Sequence, residues 1–379
     1  MKGFLDDLAP SARHAAAPVA GKASAAPDPL DSVLGLDGAT QEQMLFYYDN
    51  PHLRPKGETT HFADLDAIFK WVPGWTNLLT AQPGVGKSEF KRQLLLCRAA
   101  FDGKKSLAFV PEDSPREAYF EALIHSLTGQ DPDPTSYQPL SRERFQRAME
   151  WVREYFYVIE PHKLQGRTPA HLLDICEAAR AKYGIAHFDI DPWHKLDHSG
   201  QVAAGGIQPY LVNELGRLTD WCSQTQTYLG ISINPRSIAR LPNEAWPVPD
   251  SDHLSGGPTW ADFAATTMAL DRPNRHVNRS DPAFAIYTRK LKNYRRASAK
   301  PGSIGEGTEN PDVRIEFNWR TARYEFNGAS PLAAPAVQQL YIPDFTSGPA
   351  PGALPASTFE DEVPTPFPHL HGASETLPF

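Results

Sequence analysis

The chain has 379 residues, of which 41% are apolar, and a formal net charge of −8. This size and apolar content suit one large domain with tails. The acidic balance excludes binding of nucleic acid through overall charge, so any such site must be a local basic patch. No apolar run approaches the ~20 residues of a membrane span, and the N-terminus lacks the basic-then-apolar order of a secretory signal. The three cysteines form no disulfide or zinc pattern. We therefore expect a cytoplasmic protein with no membrane partner.

The two ends differ in composition from the middle of the chain. Residues 1–40 are rich in Ala, Pro, Gly and Asp, which predicts a flexible N-terminal arm. Residues 41–60 contain three consecutive aromatics and read as a docking or linker segment, packed on the chain's own core or on a neighbouring subunit. Residues 329–379 hold ten prolines and no Lys or Arg, which predicts a disordered acidic Pro-rich tail. Residues 61–328 remain as the folded domain.

Apolar runs alternate with helical patterns through this domain. Strands are expected near 75–79, 106–110, 156–159, 185–193 and 228–233, and helices near 88–101, 115–128, 141–153, 168–183 and 208–227. Further β segments are expected at 266–271, 283–291, 313–319 and 322–327. This alternation predicts an α/β fold with a mostly parallel central sheet and helices on both faces.

The most specific motif lies between the first strand and the first long helix. Gly-x-Gly-Lys-Ser at the start of a helix, after a buried strand, is the setting of a phosphate-binding loop. It predicts ATP as the ligand, with Lys87 on the terminal phosphates and the Ser88 hydroxyl on Mg²⁺. Ala81 replaces the first glycine of the motif, which matters only if that residue must adopt positive φ. A chance match in a surface loop is the alternative. The predicted nucleotide-binding residues are Gln82, Pro83, Gly84, Val85, Gly86, Lys87, Ser88 and Glu89.

Acidic residues follow two other predicted strands. Glu112 ends the second strand, where a carboxylate can orient or deprotonate the attacking water. A helix N-terminal carboxylate is the alternative, and Asp113 suits that role better. Asp191 ends the fourth strand and is the predicted Mg²⁺ ligand, although Asp189 lies on the same strand face. His187, His194 and His198 match no zinc pattern, so loop or surface positions are expected for them.

Polar and basic residues follow the later strands. Asn234 ends the fifth strand, where a polar side chain can sense the γ-phosphate, and Arg236 could relay that signal. The long irregular segment that follows is typical of a functional loop. Residues 287–300 hold six basic side chains and no acid. A charged strand edge, contacts to nucleic-acid phosphates and an arginine finger for a neighbour's ATP all remain open.

With these motifs in order, the chain resembles the RecA-like ATPase domain of hexameric replicative DNA helicases, with its closest look to Twinkle, phage primase–helicases and related plasmid helicases. The resemblance covers about residues 60–328. It rests on the Gln82 to Ser88 loop and on shorter matches, namely Phe62-Ala-Asp-Leu-Asp, Pro111-Glu-Asp, Ile190-Asp-Pro-Trp, Asn234-Pro-Arg, Ser255-Gly-Gly and Lys290-Leu-Lys-Asn-Tyr-Arg.

The resemblance implies a role for each matching residue. Glu112 would be the catalytic base, Asp191 the metal ligand, Asn234 the γ-phosphate sensor, and Arg272 a neighbour of the nucleotide. Lys292 and Arg295 would act on the ATP of the adjacent subunit. Two departures are visible. The sensor is more often His or Gln, and the family's Lys-x-Arg spacing is altered here, so Arg295 and Arg296 both qualify as the finger.

The resemblance also implies partners. Subunits would form a homo-hexamer around single-stranded DNA, with residues 198–207 and 237–254 as the predicted channel loops. The acidic tail would either recruit a replication partner or be inert. A DNA helicase is the favoured reading. A RecA-like recombination or strand-annealing ATPase, and a nucleotide-switched binding protein without unwinding, are the alternatives.

Overall fold

The computed structural model describes residues 33, 35–161, 164, 166–302 and 310–342. Most of the predicted arm, and the predicted tail after Ile342, lie outside the described residues. The chain divides into two units, the first running to Pro55 and the second beginning at Lys56. The first unit holds helix α1 (Gly38–Asp49), which Asp37 caps by accepting a 2.7 Å hydrogen bond from the Thr40 backbone N–H. The docking role of residues 41–60 stays a prediction, and residues 56–60 fall in the second unit.

The second unit alternates strands with helices. Its strands are β1 (Thr76–Thr80), β2 (Lys105–Phe109), β3 (Phe156–Val158), β4 (Ile185–Ile190), β5 (Tyr228–Ile233), β6 (Thr266–Asp271), β7 (Ala283–Leu291), β8 (Val313–Asn318) and β9 (Arg323–Glu325). Its helices are α2 (Ala63–Asp66), α3 (Lys87–Asp102), α4 (Arg116–Thr128), α5 (Arg142–Tyr155), α6 (Pro169–Tyr183), α7 (Gly200–Ala203), α8 (Ile207–Thr225), α9 (Thr259–Phe263), α10 (Tyr294–Ala297) and α11 (Pro335–Gln338).

The nine strands of the described residues form one sheet in the order β3-β2-β4-β5-β1-β6-β7-β8-β9. The first six in that order pair in parallel, and β7, β8 and β9 add to β6 as antiparallel strands. Strand β1 lies between β5 and β6, so the loop after β1 opens at the carboxyl edge of the parallel part. This confirms the predicted α/β fold with a mostly parallel central sheet.

Helices cover both faces of the sheet because each has one apolar stripe to bury. One core contains Phe90 and Leu94 of α3, Leu123 of α4 and Ala148 of α5. The opposite core contains side chains of α6 and α8, such as Leu215. The parallel strands are therefore apolar along most of their length, as strands buried on both faces must be.

Three sequence-based expectations need correction. The predicted tail begins too early, because residues 329–342 form short helical turns whose Leu332, Val337 and Tyr341 are buried in the core. Residues 198–207 are not simply a loop, since they include helix α7. His187 is neither a loop nor a surface residue: it is buried in β4, with its ring stacked on Tyr228 at 4.5 Å.

Candidate functional site

Residues 81–86 form the loop between β1 and α3. Gly84 and Gly86 have φ of 70° and 117°, which favour glycine. A Cβ on Gly86 would also lie 2.6 Å from the Tyr324 hydroxyl. Ala81 is buried and its φ lies outside the positive region, so the missing first glycine of the motif costs the backbone nothing. The loop geometry thus explains why this alanine is tolerated.

Lys87 is the first residue of α3, and its side chain turns back over the loop. Its Nζ donates to the Ala81 carbonyl at 3.3 Å and to Asn234 Oδ1 at 2.5 Å. Burial lowers the pKa of Lys87 to about 8, although the charge of Asp191 opposes that shift. The ammonium group is thus held at the mouth of the loop, where only weak neutral acceptors and a nearby carboxylate compensate it. A bound phosphate would supply the missing charge.

Asp191 follows β4 and faces the start of α3. Burial opposes its ionisation, but the charge of Lys91, the hydroxyl of Ser88 and the charge of Lys87 outweigh burial and lower the pKa of Asp191. Asp189 instead pairs with Lys91 at 2.6 Å, and burial raises the pKa of Asp189 to about 6. Of the two candidates, Asp191 therefore lies with Ser88. A hydroxyl and a carboxylate are oxygen ligands of the type that Mg²⁺ prefers, so the pair fits the predicted metal.

Glu112 follows β2 at the same edge of the sheet. Its side chain is 52% exposed, with Oε1 3.1 Å from Lys195 Nζ and 3.7 Å from His194 Nε2. The neighbouring Asp113 pairs with Arg92 at 2.8 Å, which ties it to α3. Helix α4 begins at Arg116 after Pro115, so Glu112 lies outside its first turn. The carboxylate is free of a capping role and within electrostatic range of Lys87.

Two arginines of the β6–β7 connection lie beside the phosphate loop. Arg272 is buried, with its guanidinium 5.4 Å from the ring centroids of both Phe284 and Trp319. It lines a cavity of about 20 Å³ together with Gln82 of the loop. Arg275 donates to the Pro83 carbonyl at 2.7 Å. Sequence reasoning missed Arg275, because an arginine in an irregular segment carries no periodic or motif signal.

The basic segment after β7 lies at the other edge of the sheet. Leu291 pairs with Thr266, which pairs with Asn77 near the start of β1. With a rise of about 3.3 Å per residue, the segment is therefore separated from its own phosphate loop by roughly 15 Å along the sheet. Lys292 and Arg295 are exposed there, and neither side chain has an ion pair or hydrogen bond in the described part of the chain.

The other side chains of this segment are occupied within the subunit. Arg296 donates to the Pro73 carbonyl at 3.2 Å and lies 5.8 Å from the Trp75 ring centroid. Arg289 donates to Pro249 O at 3.3 Å, and Lys290 donates to the carbonyl of Ala261. Of the two finger candidates, Arg295 is thus the one whose side chain is available to a neighbour.

The predicted channel loop 237–254 is anchored at both ends. The backbone N–H of Arg236 donates to His253 O at 2.7 Å, and its guanidinium donates to Asp252 O at 2.7 Å. Trp246 from the middle of this loop lines the small cavity that also contains Gln82 and Arg272. The loop therefore touches the nucleotide-binding elements directly, and Arg236 holds its end in place.

A loop built for phosphates, a hydroxyl–carboxylate pair suited to Mg²⁺ and an exposed glutamate thus meet at the carboxyl edge of a mostly parallel sheet. Strand β5 separates the phosphate-loop strand from the strand that carries Asp191. This combination of fold and site defines a RecA-like P-loop ATPase domain of the helicase type. Within the described residues, the structure contains no helix long and apolar enough to cross a bilayer.

Comparisons with known proteins agree with this class. The chain is 28% identical over 155 residues to the Twinkle homolog protein, chloroplastic/mitochondrial, of Arabidopsis thaliana. The match covers 40% of this chain and 22% of that protein, so it extends over only about a fifth of the curated relative. No protein-family model matches the chain.

Two solved structures share the fold. The ATPase domain of a DnaB-like helicase superposes with a TM-score of 0.59 at 12% identity, covering 76% of this chain and 99% of that chain. A DnaB-like replicative helicase, whose structure was described with its interactions with primase, superposes with a TM-score of 0.54 at 12% identity, covering 76% of this chain and 67% of that chain. At this identity the two structures show the fold, and they confirm the predicted resemblance to replicative helicase domains.

Proposed function

We propose that this protein is an ATP-driven DNA helicase that translocates on single-stranded DNA as a homo-hexameric ring during replication. One observation carries the proposal: the subunit presents two halves of an ATPase site at opposite edges of its sheet. Lys87, Ser88, Glu112 and Asp191 lie at one edge. Lys292 and Arg295 lie at the other, without a side-chain partner among the described residues and too far away to reach a nucleotide on their own loop.

A subunit of this kind completes its site only by contacting another copy. Head-to-tail contacts between unlike edges produce a closed ring or an open filament, depending on the rotation between copies. In either assembly, Arg295 of one copy would approach the terminal phosphate held by Lys87 of the next. An arginine supplied in this way stabilises the charge that develops during phosphoryl transfer.

The chemistry is ATP hydrolysis. Lys87 and the loop amides bind the phosphates, Ser88 and Asp191 would hold Mg²⁺, and Glu112 orients and deprotonates the attacking water. Bound Mg²⁺ would neutralise charge on the phosphate oxygens. Asn234 contacts Lys87 in the present structure, so a bound γ-phosphate would displace the amide from the ammonium group. That displacement would be passed along residues 234–236 to the loop at 237–254, our candidate for DNA contact.

The first test is the ATPase rate with and without single-stranded DNA, in the wild type and in Lys87→Ala. The proposal predicts stimulation by DNA that disappears in the variant, followed by unwinding of a forked duplex. DNA-stimulated hydrolysis without unwinding, with filaments in electron micrographs, would favour a recombination or strand-annealing ATPase. A rate indifferent to DNA would overturn the motor and leave a nucleotide-switched binding protein.

A further inference from the structure

A lysine is buried behind the nucleotide site, one helical turn after Lys87. Lys91 of α3 points at the sheet and is 9% exposed. Its Nζ lies 2.6 Å from Asp189 Oδ1 and donates to Ser232 Oγ at 2.9 Å. Taking an ammonium and a carboxylate out of water costs several kcal/mol per ion unless the pairing is close and hydrogen-bonded. A feature this costly in the core of an ATPase needs a reason.

The neighbouring strand is shaped to accept this pair. Gly230 of β5 lies opposite Asp189 of β4, and a Cβ there would be 2.4 Å from Asp189 Oδ1 and 3.9 Å from Lys91 Cε. The φ of Gly230 is not in the positive region, so its backbone alone does not require glycine. Glycine inside a strand weakens the strand and often marks a close approach. Here it makes room for the carboxylate that neutralises Lys91.

The pair is also joined to Asp191. Lys91 Nζ lies 3.9 Å from Asp191 Oδ2, and Ser232, which accepts from Lys91, lies within hydrogen-bonding range of Asp191. The other neighbour of Asp191 is Ser88, on the nucleotide side. Asp191 therefore has a cation and a hydroxyl behind it and the metal-binding hydroxyl in front of it.

We propose that Lys91 is a positioning residue for the magnesium site: neutralised by Asp189, its ammonium group orients the Asp191 carboxylate toward Ser88. This inference rests on the proposed role of Asp191 in holding Mg²⁺. It also accounts for the two aspartates of β4 and its end, because one is consumed by Lys91 and the other is left for the metal.

A paired variant separates positioning from simple charge compensation. Lys91→Met alone leaves Asp189 buried without its partner, so we expect a lower unfolding temperature and weak activity. Lys91→Met with Asp189→Asn removes both charges while keeping shape and net charge, and removing both members of a buried pair is close to neutral for stability. The double variant should therefore unfold near the wild-type temperature. Its Asp191 would lack the ammonium group, so we expect kcat at least ten-fold lower and a several-fold higher half-saturating Mg²⁺.

The metal dependence is read in two ways. One is the Mg²⁺ dependence of the ATPase rate, and the other is the binding of Mn²⁺ in the presence of a non-hydrolysable ATP analogue, followed by electron paramagnetic resonance. Asp102→Asn, which removes a carboxylate from an ion pair at the far end of α3, is the matched control and should leave both unchanged. A double variant with wild-type kcat and wild-type metal affinity would overturn the inference.

Asp191→Asn distinguishes the two levels of the argument. If Asp191→Asn weakens Mn²⁺ binding and the double variant does not, the positioning role of Lys91 fails and the proposed metal site stands. If Asp191→Asn itself leaves Mn²⁺ binding unchanged, the proposed metal ligand is wrong and the inference falls with it.

Discussion

The Nζ of Lys87 and the Oδ1 of Asn234 are 2.5 Å apart, a direct link between the phosphate loop and the end of β5. A hydrogen bond from a charged donor is among the stronger polar contacts in proteins. Because the terminal phosphate of ATP would approach the same ammonium group, binding of ATP and the Lys87–Asn234 contact would compete. The residue at the end of β5 can then distinguish a site with a γ-phosphate from one without it.

This competition makes Asn234 separable from binding. In Asn234→Ala, Lys87 loses the partner that ATP must displace, so we expect ATP affinity equal to or a few-fold tighter than wild type. Hydrolysis should fall about ten-fold, in the range of a lost polar contact to the reacting phosphate. Fluorescent ATP-analogue titration and steady-state rates measure the two effects. Asn234→Gln, which keeps the amide, is the control, and a variant that loses affinity and rate equally would contradict the sensor role.

The two half-sites predict recovery of activity on mixing inactive variants. Lys87→Ala and Arg295→Ala should each lose at least about 100-fold in ATPase rate, since each spoils every interface of its own assembly. In a random equal mixture, about a quarter of the interfaces combine an intact loop with an intact finger. The mixed sample should therefore regain activity that neither variant has alone.

Arg296→Ala is the matched control for the finger, because its guanidinium is bound to the Pro73 carbonyl within its own subunit. We expect it to lower thermal stability slightly and to leave the ATPase rate within a few-fold of wild type. Recovery absent from the Lys87→Ala and Arg295→Ala mixture, with mixed assemblies demonstrated by tagged subunits, would contradict an arginine acting between subunits.

Restoring the first glycine of the phosphate-loop motif should not help this protein. Ala81 is buried with φ outside the positive region, so Ala81→Gly gains no backbone freedom that the native loop uses. The unfolded chain becomes more flexible, and we expect the free energy of unfolding to fall by about 0.4–1 kcal/mol. Urea denaturation measures that loss, with ATP affinity unchanged. A tighter-binding Ala81→Gly would show that the loop is strained at this position.

The three cysteines should be inert in the folded protein. Cys97, Cys176 and Cys222 are all buried and free, and burial raises their pKa values, that of Cys222 to about 12. Since the thiolate is the reactive form, almost no thiolate is available near pH 8. Ellman's reagent should label no cysteine in the native state and three after unfolding. Rapid labelling of one thiol in the native protein would mean that its helix opens locally.

The predicted strands and helices agree with the structure because their signals are local. Buried parallel strands such as β5 are apolar along most of their length, and helix α3 follows a glycine-rich turn. The packed segment at 329–342 was missed for the opposite reason. Its prolines and small residues resemble a disordered tail, and only the pocket formed by α3, α4 and α5 makes burial of Leu332 and Tyr341 favourable.

The sequence by itself determined the chemistry at the carboxyl edge of the sheet. The order of strand, Gly-x-Gly-Lys-Ser and helix specifies a phosphate loop, because backbone geometry and helix polarity are encoded within a dozen residues. Only the tertiary structure decided between Asp189 and Asp191, and between Arg295 and Arg296. Those choices depend on what each side chain meets across the fold: Lys91 and the space left by Gly230 for Asp189, and the Pro73 carbonyl for Arg296. Contacts between residues far apart in the chain leave no periodic signal in the sequence, so such choices appear only when the sheet is assembled.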